Sequence, residues 1–202
     1  IFIFLLFYEV LLPVNADEYK IDKIKARPTF HQKATHFQLS LTPEEMEYFM
    51  DNLHYASILL NKYKIHSLKI QSTGENMYCA EDDNGLKGTF SLMEEKDSFR
   101  EYVGRGSYNN SMIGTISADV IATIHYRKLY SNTTTNDLEF WILVNNSFLD
   151  LLCRIFRPLM IKSLKNHFNK FIMIVKEFAD KYSTDNDKTI QHPLEKRCSS
   201  GF

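Results

Sequence analysis

The feature that most limits what this chain can fold into is a late change of period. From Lys64 to Val144 apolar residues recur at every second position, block after block. From Asn146 to Lys181 they recur every three to four. Half-buried strands followed by one long amphipathic helix can bury their apolar faces in few ways. A helix of ~34 residues would be about 50 Å long at 1.5 Å per residue. Ser147 is placed to cap it. Its stripe is Cys153, Phe156, Met160, Leu164, Phe168, Phe171, Val175 and Phe178. Pro158 lies inside, which predicts a kink, or a short helix leading into a long one.

The strands before it are read from alternation and turn chemistry. Phe37, Leu39 and Leu41 alternate with polar residues over 35–41, a first strand. T-P-E-E follows: Thr42 caps, Pro43 suits the first helical position, and Glu45 stands where a capping box wants an acid. That helix puts Met46, Phe49, Met50 and Leu53 on one face and breaks near Asp51–Asn52; a second short helix ends near Asn61. Residues 64–72, 76–82, 86–94 and 98–105 suit strands. Asp83-Asn84-Gly85 and Glu95-Lys96-Asp97 mark turns between them. Gly104-Arg105-Gly106 through Gly114 reads as loop. A β-branched strand over 117–130 follows, then a polar loop from Ser131 to Asp137, then L-E-F-W-I-L-V. The expectation is α+β: an antiparallel meander with its helices on one side.

The element order, the T-P-E-E start after a first strand, and the closing F-L-D-L-L-C-R-I-F-R-P-L-M-I-K-S-L-K-N-H-F resemble the START/Bet v 1-like superfamily (the SRPBCC, polyketide cyclase-like group). So does G-T-I-S-A-D-V-I-A-T-I-H-Y-R followed by L-E-F-W-I-L-V, which looks like that family's last strand pair. The resemblance covers about residues 34–181. It implies a helix-grip fold, a curved antiparallel sheet wrapped around a long C-terminal helix, with an internal cavity for an apolar ligand. Members bind lipids, sterols or polyketides, and some are enzymes such as cyclases. No shared catalytic residues exist to carry over.

On that reading the ligand would meet Val120, Ala122, Ile124 and Tyr126 from one strand and Phe140 and Ile142, with Val144, from the next. Met160, Leu164, Phe168 and Phe171 would face them from the helix. Ala118 and Ala122 leave room there. The same residues could equally form a solid core, since Met and Phe serve both purposes. The expected function is non-catalytic binding or transport of a lipid or sterol-like molecule. The alternatives are an enzyme of the same fold or a solid-core interaction module. An enzyme would need an inward acid–base group, for which Asp119, His125, Tyr126 and Arg105 are the candidates. By parity Asp119, His125 and Arg127 share a face opposite Val120 and Ile124, and Glu139 lies on the neighbouring strand.

Charge sets further limits. Lys+Arg is 24 against Asp+Glu 25, a net charge of −1, so the general basic footprint of a nucleic-acid binder is missing. The basic residues are locally grouped instead. Arg154, Arg157, Lys162, Lys165, Lys170 and Lys176 follow one another with no acid from Leu151 to Lys176, a helix face that could meet a membrane surface or simply water. Three cysteines cannot make a four-thiolate zinc site or a disulfide scaffold. Cys79 and Cys153 could pair in an exported protein, and spacing does not decide it. The histidines lack paired metal-ligand spacing, and Gly104-Arg105-Gly106-Ser107 lacks the lysine and helix start of a phosphate loop. No cofactor is expected.

The ends differ from the middle. Residues 1–16 read as a signal peptide without its first residues, with Val14 and Ala16 before a cleavage site and a mature start near Asp17. A buried strand or short core helix is the competing reading. Export to the periplasm or outside the cell is therefore expected, and the sequons at Asn109, Asn132 and Asn145 would matter in a eukaryotic secretory route. Residues 17–33 form a basic lead-in, and 182–202 a mobile polar tail.

Overall fold

The computed structural model describes residues 21–83, 86–110 and 114–185. The apolar opening segment, Asn84-Gly85 and the tail beyond residue 185 lie outside the described residues. So does Cys198.

A short helix, α1 (Ile21–Ala26), leads into strand β1 (Phe30–Leu39). Helices α2 (Pro43–Asp51) and α3 (Leu53–Lys62) come next. Strands β2 (Leu68–Gly74), β3 (Met77–Asp82), β4 (Leu86–Lys96), β5 (Phe99–Asn110), β6 (Gly114–Tyr130) and β7 (Thr133–Val144) follow. Helices α4 (Ser147–Ile155) and α5 (Arg157–Thr184) close the chain. The strands form one antiparallel sheet in the order β1-β7-β6-β5-β4-β3-β2. This is α+β with a C-terminal helix held against a curved sheet, the helix-grip arrangement.

The local signals explain most of these elements. At the start of α2 the Thr42 hydroxyl accepts from the Glu45 amide at 3.1 Å, and the Glu45 carboxylate accepts from the Thr42 amide at 2.9 Å. That reciprocal capping box satisfies two otherwise orphaned donors. The helix ends at Asn52, whose φ of −122° and ψ of 53° leave the helical region and separate α2 from α3. Phe156 similarly breaks the last helix in two. Pro158 then falls in the first turn of α5, where its missing N–H costs nothing. The cap of α4 is Asn146, not Ser147. The Asn146 side-chain oxygen accepts from the amides of Phe148 and Leu149 at 3.0 and 3.1 Å, leaving Ser147 as the first helical residue.

Four expectations shift. Residues 104–110 are strand: Arg105 pairs with Asp119, and pairing continues to Asn110 opposite Gly114. The loop expected over 131–137 shrinks to Ser131-Asn132, because β7 already begins at Thr133. The first strand starts at Phe30. Its inward phase jumps from Phe30 and Ala34 to Phe37 and Leu39 across a bulge, where His36 takes φ 57°. Finally, α5 extends to Thr184, so Ser183 is helical.

Helix α1 covers part of the outer, convex face. Ile24 is buried against Val103 and Ile121, with Ile21, Met93, Trp141 and Leu143 around them. Lys25 pairs with Glu101 at 2.5 Å and sits 5.4 Å over the Trp141 ring. Six residues are too short a stretch for periodicity to reveal a helix.

Candidate functional site

A cavity of about 230 Å³ lies between the concave face of the sheet and the helices. One water needs only ~10–15 Å³, so this is no packing defect. Its floor is the inner face of β2, β4, β5 and β6, with Leu138 and Phe140 of β7 and Leu39 of β1 at its edge. Met46, Phe49, Met50, Leu53, Ala56 and Leu60 of α2 and α3 form one wall. Phe171, Ile174, Val175 and Phe178 of α5 form another.

Register explains the space. Ala80 pairs with Gly88, Gly88 with Gly106, and Gly106 with Ala118. Four adjacent strands thus place Ala, Gly, Gly and Ala in one line across the concave side. The next line runs Phe90, Gly104, Val120, and the next Tyr102, Ala122, Phe140. Each line includes at least one Gly or Ala. Gly104 also allows close approach: a Cβ there would come within 2.8 Å of both the Phe90 Cβ and the Thr89 carbonyl oxygen. No side chain fits without β4 and β5 moving apart.

Of the residues expected to meet a ligand, Val120, Ala122, Ile124, Phe140 and Phe171 line this cavity. Tyr126, Ile142 and Phe168 do not border it among the described lining. Tyr126 is 1% exposed and packs with Phe49, Phe178 and Tyr182, further along the sheet. Ile142 and Phe168 pack with Phe30, Phe140 and Val144 into solid core. Met160 and Leu164 fall outside the residues whose side chains are described. The wall from α2 and α3 and the floor glycines were not expected. The apolar face of the T-P-E-E helix was the available signal for the first, and the Gly104-x-Gly106 alternation for the second.

Three polar side chains at the cavity, those of Ser57, Tyr102 and Arg105, are already engaged. The Ser57 hydroxyl donates to the His54 carbonyl at 2.7 Å and accepts from the Ile70 amide at 3.2 Å. The Tyr102 hydroxyl donates to the Met50 carbonyl at 3.3 Å, and burial pushes its pKa far above the usual phenol range. Arg105 borders the space, but its guanidinium donates to both Asp119 oxygens, at 2.7 and 3.3 Å. Register puts Thr89 on that same outward face.

The outer cluster read from parity is spread over surface contacts. Asp119 holds Arg105 and Asn145, Arg127 meets Asp137 at 3.3 Å, and Glu139 meets His31 and Lys33 at 2.7 and 3.3 Å. His125 is exposed beside the Phe99 ring, 4.5 Å between centroids. The strongest buried charge is elsewhere. Arg100, 1% exposed, reaches Glu95, Asp51 and Glu47 at 2.8, 3.1 and 3.4 Å. It also donates to the carbonyls of Lys96 and Phe99. It ties the end of α2, and hence one cavity wall, to the β4–β5 turn.

Cys79 and Cys153 are free thiols. No group of three His, Cys, Asp or Glu positioned for a metal occurs among the described residues. No described helix is long and apolar enough to cross a membrane.

No protein-family model matches the chain, and no curated protein matches it. Solved structures do. A conserved protein from Geobacillus kaustophilus superposes with a TM-score of 0.54 at 13% identity, over 75% of this chain and 96% of that one. A hypothetical protein from Helicobacter pylori gives 0.51 at 11%, over 84% and 99%. A START superfamily protein from Mycobacterium smegmatis is more distant, at 0.45 and 6%, over 75% and 97%. The likeness to the Geobacillus and Helicobacter structures is one of fold, the antiparallel sheet with a C-terminal helix held against it.

Proposed function

We propose that the protein binds an uncharged, apolar small molecule of lipid or sterol-like kind in this cavity and carries it chemically unchanged. The observation that supports this most is that the bordering polar side chains of Ser57, Tyr102 and Arg105 are engaged within the protein and that of Thr89 shares Arg105's outward face. A ligand carboxylate or ammonium would lose its water and gain no partner, a cost of several kcal/mol. A hydrocarbon or fused-ring body would instead exchange water for Met, Leu and Phe contacts, at ~25 cal/mol per Å² buried. An enzyme of the same fold would need an acid–base group facing the substrate. Asp119 and His125 face outward, Tyr126 is not among the cavity's lining residues and packs with Phe49, Phe178 and Tyr182, and the Arg105 guanidinium is held by Asp119.

Ala122→Trp tests the reading. The indole would occupy the floor between Tyr102 and Phe140. Uptake of a fluorescent fatty-acid or sterol probe should fall at least tenfold while urea unfolding stays cooperative. Undiminished uptake by a folded variant would contradict this site.

A further inference from the structure

Helix α4 is turned the wrong way round for a helix in water. None of its residues is buried. Phe148, Leu151 and Ile155, one stripe at three- and four-residue spacing, are 67%, 53% and 60% exposed, and Phe156 at its end is 51% exposed. The polar pair of the same helix is turned toward protein. Asp150 accepts from the Thr29 hydroxyl and from Arg154 Nε at 2.8 Å, and Arg154 donates on to the Arg27 carbonyl at 3.3 Å. Leu149 and Cys153 pack against the core on the remaining side. The helix is thus fixed by its polar and core-facing sides, and it presents its apolar side outward.

Charge says what suits that side. Lys162, Lys165, Lys170 and Lys176 of the adjoining α5 are exposed, and none forms an ion pair among the described residues. The sequence holds no acid from Leu151 to Lys176. A second copy seated on α4 would bring two such lysine rows together. An anionic bilayer would take up the aromatic and aliphatic side chains and attract the lysines. We propose that α4 is a docking element that lies in the surface of an anionic lipid bilayer, with Lys162 and Lys165 at the headgroups. Arg154, expected from sequence to make such contact, is instead the strut that orients the helix. Arg157 lies outside the residues whose side chains are described. The proposal does not rest on the cavity: a chain that binds no small molecule would still dock.

The test is flotation of the full chain with phosphatidylcholine vesicles, with and without phosphatidylserine. Bound protein is expected on the anionic vesicles and should fall at high salt. Phe148→Ser with Ile155→Ser, both exposed and outside the core, should lower the partition constant at least tenfold. Lys162→Glu with Lys165→Glu should lower it on anionic vesicles alone, by about fivefold or more per lysine. Circular dichroism checks that each variant is folded. Equal partitioning of wild type and the folded Phe148/Ile155 variant would overturn the proposal. So would a dimer in sedimentation that this variant dissociates, which would give the face to a second copy.

Discussion

The concave face of the sheet is filled at one end and hollow at the other. Under β1, β7 and the adjoining part of α5, Phe30, Phe140, Ile142, Val144 and Phe168 close together, with Phe168 edge-on to Phe140 at 5.6 Å between centroids. Under β4 to β6, Gly88, Gly104, Gly106 and Ala122 face the same side and border a void. Both ends use the same ladder and period. Small side chains on the sheet's inner face mark the hollow end, so hollowness here is written in part into a few residues of the ladder. Large side chains still ring the void, which keeps its walls apolar.

Three substitutions sharpen that contrast, in falling order of effect. Phe140→Ala removes a ring shared by the filled end and the cavity floor. It should cost about 4 kcal/mol in urea unfolding, the usual range for a buried Phe. A loss under about 1 kcal/mol would mean that the end described as solid is loose. Gly104→Ala places a Cβ 2.8 Å from two β4 atoms and should cost about 2 kcal/mol, the strain of overpacking less the gain from a stiffer unfolded chain. An unchanged midpoint would show that β4 and β5 separate freely.

The smallest effect is a pH slope at the hollow end. Burial lowers the His66 pKa, partly offset by Asp82 at 3.7 Å. The unfolded state then takes a proton more readily than the folded one. Stability should be complete above pH ~6.5 and decline as pH falls below it toward the folded pKa. His66→Gln should flatten that slope in midpoints measured between pH 7.5 and 5; an identical slope would assign it to another group.

Much of the architecture is legible in the residues, for a physical reason. Capping in Thr42-Pro43-Glu44-Glu45 and alternation in L-E-F-W-I-L-V are local signals, and local signals survive in a single sequence. The misread stretches are those where a residue serves a non-local purpose. Gly104 and Gly106 look like loop because glycine usually marks a turn, yet here Gly104 lets β4 and β5 approach and both leave the floor without a side chain. His36 takes a positive φ at a bulge, which hides the first half of β1 by shifting its phase. Asn146 outcompetes Ser147 as the cap because its longer side chain reaches two amides. The apolar outward face of α4 was invisible for a similar reason. The stripe through Cys153 and Phe156 suggests burial, and the anchoring of Asp150 to Thr29 across the fold decides which side faces water.

The central claim is that the void holds an apolar guest. Its most direct test is mild purification of the full chain, extraction with organic solvent, and mass spectrometry of what is released, with Ala122→Trp prepared in parallel. The account predicts a near-stoichiometric uncharged lipid or sterol-like species from the wild type and its loss from the folded variant. A charged or strongly polar species in the wild type, or the same lipid retained at equal yield by the variant, would contradict it.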